Sequence, residues 1–212
     1  MKWAAAIAIL GLVVLVAMGT WSLFPRPEVP PWEEATAAWG AENAVAAIVL
    51  GARLWDTLFE VLVYAMAMVG VRLALRPFKR TEPLPPLPET PLLRRAADVL
   101  LGPIVVFSIY LAASGHLGPG GGFPAGALLG SGLLLLALAK GADRLGGEIH
   151  EPALERWEYG AIAALLAVGG GVLLLGWRGE HVLLAADFLI ALVVAIGAWV
   201  VLHHFASSRG EI

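Results

Sequence analysis

The sequence predicts an all-α, polytopic membrane helix bundle of about six transmembrane helices plus one short, partly inserted helix. Three observations carry this reading. Apolar runs recur at close to the ~20 residues that an α-helix needs to cross a bilayer. Charged residues make up 15% of the chain, well under the roughly 25% usual in soluble domains. Tryptophans bracket apolar runs, Trp3 with Trp21 and Trp157 with Trp177, where an amphipathic ring suits the membrane–water interface.

The first run, Trp3–Leu23, is expected to be a true span rather than a cleaved signal. Its bracketing tryptophans are 18 residues apart, roughly 27 Å of helix. Pro25, Pro27, Pro30 and Pro31 then impose a non-helical stretch, followed by Glu33, Glu34 and Glu42. Asn43–Ala52 is apolar but rises only ~16 Å as a helix, about half a bilayer. Asp56–Leu75 is long enough to span. Residues 77–95 form a stiff, basic, proline-rich linker with Pro77, Pro83, Pro85, Pro86, Pro88 and Pro91. This divides the chain into an N-terminal membrane module, 1–76, and a four-helix module, 96–212. Its spans are expected near Ala96–Ala113, Phe123–Lys140, Tyr159–Gly176 and Val182–Phe205, with a charged loop over Gly141–Glu158.

Charge sets the expected orientation in the cell membrane. Arg76, Lys79, Arg80, Arg94 and Arg95 put the linker in the cytoplasm. Even numbers of crossings then place the Gly141–Glu158 loop and the C-terminus there too. The Gly115–Gly122 loop and the start of the Asp56 span fall outside. A complete crossing by Asn43–Arg53 gives seven crossings and inverts the N-terminus, so a partly inserted helix is the expectation.

Some chemistries are excluded. The chain has no cysteine, which removes disulfides, thiolate zinc sites and cysteine-ligated clusters. Five scattered histidines show no metal-ligand spacing, and no phosphate-loop or dinucleotide fingerprint occurs. A net charge of −3 points away from nucleic acid. No cofactor is expected.

Three groups of residues invite a functional reading. Arg53, Asp56, Thr57, Glu60 and Tyr64 recur at helical spacing and are expected on one stripe. Carboxylates and a hydroxyl within a span suit a proton or a transient Na+ at Asp56 and Glu60. The plainer alternative is an Arg53–Asp56 pair at the interface, with Asp56 and Thr57 capping the helix; Glu60, one turn deeper, is harder to explain that way. The second group is Ser114-Gly115-His116-Leu117-Gly118-Pro119-Gly120-Gly121-Gly122-Phe123. His116 has the chemistry of a proton relay, yet the residues alone favour a tight outer turn with a solvated histidine. The third is Asp98, Asp187 and His181. Both aspartates lie near expected span ends, where snorkelling or capping accounts for them. The small residues from Gly122 to Gly132 are read as helix packing, and Gly169–Gly171 as a kink in the third span of the second module.

The Gly115-His116-Leu-Gly-Pro119-Gly120-Gly121-Gly122-Phe123 run, preceded by Phe107-Ser108-Ile-Tyr110-Leu, resembles the MnhB-type subunit of the Mrp-type multisubunit Na+/H+ antiporters over about residues 92–205. Leu117-Gly118 is a minor departure from the family pattern. Asn43-Ala-Val45-Ala-Ala-Ile48, with Arg53, Asp56-Thr57 and Glu60, is similar to the C-terminal part of the antiporter's large A subunit. The same element is a separate small subunit, of the MbhE type, in complex I-related membrane-bound hydrogenases. The resemblance implies a fused, non-catalytic subunit with an ion route along Asp56, Thr57, Glu60, Arg53 and His116. Pro119, Gly120, Gly121, Gly122 and Phe123 are then a gate or subunit contact. It implies other membrane subunits, the lipid bilayer, Na+ and H+ as partners. The alternatives are the same module in a redox-driven complex, and a scaffold without ion traffic.

Overall fold

In the computed structural model the described residues are 31–75, 91–141, 145 and 149–208. The expected Trp3–Leu23 span and linker residues 77–90 lie outside them. The described elements are all helical: α1 (Trp32–Trp39), α2 (Ala44–Ala46) running into a π-helical turn (Ala47–Ala52), α3 (Leu54–Leu75), α4 (Pro91–Ser114), α5 (Gly122–Lys140), α6 (Glu151–Leu175) and α7 (Glu180–Ser208). Five of them, α3 to α7, are long and apolar enough to cross a membrane. The chain is a multi-pass, all-α membrane bundle.

Three boundaries differ from expectation. The acidic segment after Pro31 forms α1. Pro31 precedes its first turn, Glu33 and Glu34 face the helix's positive end, and Gly40 stops it in the left-handed conformation. α1 meets the α2–π segment at 84°, so the short helix expected at 43–53 is one arm of a bent pair. Trp39 fills the bend: it is buried, and a Cβ on Gly51 would fall 2.5 Å from its indole. The second difference is at the linker. α4 starts at Pro91, five residues before the expected Ala96, because proline is well suited to a first helical position. The third is at α6, which begins at Glu151, so Glu158 belongs to a helix rather than to a loop.

α7 is the hub. Its most apolar window is 61% buried, against 17–33% for the other four long helices. On one side, Leu54, Leu58 and Val61 of α3, Leu165 of α6 and Leu183, Ile190 and Val193 of α7 form one core with Ala35, Trp39 and Leu50. Tyr64 crosses from α3 and donates its hydroxyl to the Val194 carbonyl at 2.9 Å, its ring lying over Gly197.

On the other side α5 packs against α7 almost backbone to backbone. A Cβ at Gly122 would lie 2.5 Å from the Asp187 carbonyl oxygen, at Gly126 2.6 Å from that of Ala191, and at Gly130 2.5 Å from the Ala198 Cβ. Glycine every fourth residue is the pattern that lets membrane helices touch. Gly132 does the same towards Ile104 of α4, and Ser108 of α4 donates to the Ala125 carbonyl at 2.6 Å. Gly169 and Gly171 make room for Leu58 and Trp177; helix α6 runs on through them.

An ion pair ties α3 to α6. Arg72 bonds Glu158 at 2.5 Å, and the Glu158 side chain is fully buried. Removing one member strands the other charge in an apolar interior.

Two outcomes follow from this packing. Gly126→Leu should lower the stability of the assembled protein by about 1–3 kcal/mol or block its assembly, read as the midpoint of thermal unfolding in detergent. Glu158→Ala should cost about 3–5 kcal/mol, whereas the double change Arg72→Met with Glu158→Leu should recover most of it, measured the same way.

Candidate functional site

The glycine-rich loop between α4 and α5 is built by its own backbone. Ser114 closes α4 by accepting from the Leu117 and Gly118 N–H groups at 2.9 and 3.0 Å. The chain then folds back so that Gly121 N–H donates to the Leu111 carbonyl at 2.9 Å. At Gly120 a Cβ would press on that same carbonyl at 2.7 Å, and Gly121 has φ 113°, a conformation that other residues rarely adopt. Successive glycines are therefore a steric requirement of the fold-back.

Asn43 holds this loop from the N-terminal side. Its amide nitrogen donates to the Gly115 carbonyl at 2.8 Å and the Gly118 carbonyl at 2.7 Å. Its backbone N–H donates to the His116 carbonyl at 3.0 Å. Its side-chain oxygen accepts from Val45 N–H at 3.0 Å and so caps α2. With its carbonyl accepting from Ala47 N–H at 3.1 Å, this residue makes five hydrogen bonds among the described residues, three of them to a loop more than seventy positions away in sequence.

Asp187 holds the loop from the other side. Its Oδ1 accepts the Gly122 N–H at 2.6 Å, at the point where α5 begins. Asp187 is 1% exposed. Its Oδ2 lies against Gly115, where a Cβ would stand 2.6 Å away, and has no hydrogen-bond partner among the described residues. Of the snorkelling or capping expected for Asp187, snorkelling is overturned, because α5 and the loop cover it; it does cap a helix, but the start of α5 rather than of its own α7. Asp98, by contrast, is exposed, and so is His181.

His116 is also buried, 8% exposed, against the solvated histidine that the residues alone favour. Its carbonyl is held by the Asn43 N–H at 3.0 Å. His116 Nε2 stands 3.9 Å from the Glu180 carboxylate, and its Nδ1, like Ser114 Oγ, is buried without a hydrogen bond among the described residues. Pro119 is exposed, while Gly120, Gly121 and Phe123 are half-buried and Gly122 is buried.

The expected single stripe on α3 divides in two. Arg53 is not in the helix; it is the joint between the π turn and α3, at φ −116° and ψ 28°. Arg53 Nε donates to Asp56 Oδ2 at 2.7 Å, both side chains about half exposed, and Asp56 sits in the first turn of α3 where a negative charge is favoured. Glu60 is exposed one turn further along the same face, and no ion pair or hydrogen bond is formed by its side chain among the described residues. Thr57 and Tyr64 turn inward instead, because residues 57 and 64 follow the buried Val61 edge of a 3.6-residue repeat. Thr57 does not cap α3: its hydroxyl reaches back eight residues to the Val49 carbonyl at 3.0 Å, a carbonyl within the π turn.

Sequence reasoning missed Asp187 as a buried acid, the Arg72–Glu158 pair, and the clamp made by Asn43. The signal for Asp187 was its place several residues inside an apolar run; for Glu158 it was membership of a helix that the loop reading cuts short.

The clamp gives a test of its own. Asn43→Leu leaves the Gly115 and Gly118 carbonyls without their side-chain donor, a loss of about 1–3 kcal/mol. The Gly118 and Gly121 amides should then exchange with deuterium markedly faster in hydrogen-exchange mass spectrometry, while amides in mid-α7 keep their protection.

No curated protein matches the sequence. Among solved structures, a chain of the membrane-bound sulfane sulfur reductase, an archaeal respiratory membrane complex, is 26% identical, with 96% of this chain and 98% of that chain covered and a TM-score of 0.71. A chain of the Mrp complex from Dietzia sp. DQ12-45-1b is 23% identical over 98% of this chain but only 26% of its own length, with a TM-score of 0.63; it shares the fold. The family described as a domain related to the MnhB subunit of Na+/H+ antiporter matches residues 92–200, which hold α5, α6, the glycine loop, all but the first residue of α4, and α7 as far as Val200. With more than half of its length in that match, the chain belongs to this MnhB-related family.

Proposed function

We propose that the chain is a membrane-embedded, non-catalytic subunit of a multisubunit Na+/H+ antiporter-type assembly, and that the Arg53–Asp56–Glu60 face of α3 forms one wall of its ion route. The observation that carries this is Glu60: an acid on a membrane-spanning helix, exposed at the chain's own surface and unpaired among the described residues. A carboxylate left against lipid is costly, so the face calls for a partner subunit that completes the route. Trp55, Phe59, Val63 and Met66 surround it with exposed apolar surface suited to such a contact. Na+ or H+ is the cargo, with Asp56 and Glu60 as transient ligands and Arg53 tuning Asp56. Thr57 and His116 act from within the chain, and Pro119–Phe123 serve as the contact or gate at the loop.

In this reading residues 1–76 are an element like the C-terminal part of the antiporter's large subunit, joined by the 77–95 linker to the MnhB-like module 96–212. The linker and the C-terminus face the cytoplasm of a cell-membrane complex. A second reading is favoured by the mutual 96% and 98% coverage of the sulfane sulfur reductase chain: the same module working inside a redox-driven respiratory complex. The redox centres would then sit on other subunits, and identification of the proteins that co-purify with the native complex separates the two.

Glu60→Gln should leave the complex assembled and reduce Na+-dependent transport in membrane vesicles by about tenfold or more, a transition-state penalty of roughly 1.4 kcal/mol. Unchanged transport in an intact complex would make the chain a scaffold and sink the conduction role.

A further inference from the structure

Asp187 is covered on every side that the described residues define. It is 1% exposed, and its two oxygens differ. Oδ1 takes the Gly122 N–H at 2.6 Å and lies 3.3 Å from where a Cβ on Gly121 would stand; Oδ2 takes no hydrogen bond among the described residues and is pressed against Gly115, where an added Cβ would stand 2.6 Å away. A carboxylate buried with one donor for two oxygens is strongly disfavoured, and such a group neutralises instead.

A metal cation is a poor way to neutralise it. Sodium and other hard cations need several oxygens together. Six carbonyls in and around the loop already accept an N–H: Gly115, His116 and Gly118 from Asn43, Ser114 from Leu117 and Gly118, Leu111 from Gly121, and Gly121 from Ala125. The gap at Oδ2 is too small for a methyl group on Gly115. A proton needs neither.

We propose that Asp187 is a proton-binding site internal to this chain, separate from the exposed acids of α3, with the proton carried on Oδ2 while Oδ1 keeps the Gly122 N–H. The proton comes from the aqueous phase and returns to it; the tight loop packing belongs to the neutral acid, and loss of the proton leaves a charge that this packing cannot hold. The ionisable groups on the elements packed there are His116 on the loop, Glu180 and His181 at the start of α7 with His203 and His204 at its far end, Tyr110 late in α4 with Arg94, Arg95 and Asp98 early in it, Asp56, Glu60, Tyr64 and Arg72 on α3, and Lys140 at the far end of α5. Of these, His116 and Glu180 stand together at 3.9 Å, where they are suited to pass a proton towards or away from the loop. The use of this proton in transport rests on the antiporter reading; the site itself rests on the loop geometry.

The test uses the purified native complex and dicyclohexylcarbodiimide, an apolar reagent that modifies protonated carboxyls, with each site read by peptide mass spectrometry. Asp187 should be modified at about pH 6 and several-fold less at about pH 9. In parallel, Asp187→Asn, which keeps an oxygen for the Gly122 N–H, should assemble and lose pH-driven Na+ transport by roughly tenfold. No modification of Asp187, modification independent of pH, or an Asp187→Asn complex with the wild-type pH profile overturns the proposal. Should that variant fail to assemble, the labelling of the wild-type complex decides alone, and it does so whether or not the complex proves to be an antiporter.

Discussion

The close approach of α5 to α7 is the constraint on which the rest depends. Gly122, Gly126 and Gly130 give α5 a strip without side chains, and α7 answers with the carbonyls of Asp187 and Ala191 and the methyl of Ala198. In a bilayer, where apolar side chains gain little by leaving lipid for one another, such contact is a principal source of helix association. It also fixes chemistry. Because the start of α5 lies directly on Asp187, the Gly122 N–H, an orphan donor at a helix N-terminus, finds a carboxylate 2.6 Å away. Packing and site are one feature: the glycine that permits contact is the residue whose amide binds the acid.

From that contact the glycine loop follows. The chain leaving α4 has to reach the first turn of α5 while α5 is held against α7, and it does so by folding back onto the Leu111 carbonyl through glycines that tolerate both the φ of 113° and the lack of space. The fold-back turns the Gly115, His116 and Gly118 carbonyls towards a common side. Asn43 is short, carries two donors on one nitrogen, and sits at an N-cap where its oxygen is also used. No other side chain of that length offers two donors and an acceptor at once.

The fold class is legible in the sequence because its signals are strong and local: apolar runs, few charges, aromatic ends. The glycine spacing is likewise readable as helix packing. What escapes are features set by neighbours distant in sequence. Glu158 reads as a loop residue because Glu148, Glu151, Glu155 and Glu158 lie close together, and only the Arg72 partner from α3 makes a buried acid there tolerable. Asp187 has the pattern of an end-of-span residue until α5 covers it. Thr57 and Tyr64 share a spacing with Glu60, but a stripe defined by steps of three and four is wider than one face, and the core takes its buried edge. His116 reads as solvated because a sequence does not show that Asn43, 73 positions earlier, lies over it.

The two acidic regions are joined by one short piece of chain. It begins at Asn43 on the glycine loop and ends at Arg53 on Asp56. Between them is a π turn, a wider and less stable coil than an α-helix that recurs at functional sites, with its Val49 carbonyl held by Thr57 of the following helix. A rearrangement of the loop that Asn43 follows cannot be absorbed at the buried Trp39–Gly51 contact, where no free space exists. The π turn that holds Gly51 leads directly into Arg53, the joint at which α3 starts. A single segment of about ten residues, from Asn43 to Arg53, thus runs from the loop that covers Asp187 to the joint beside Asp56. Under the proposed antiporter reading this segment is the candidate coupling element, because two ions that must alternate are best held at sites that sense each other while remaining apart.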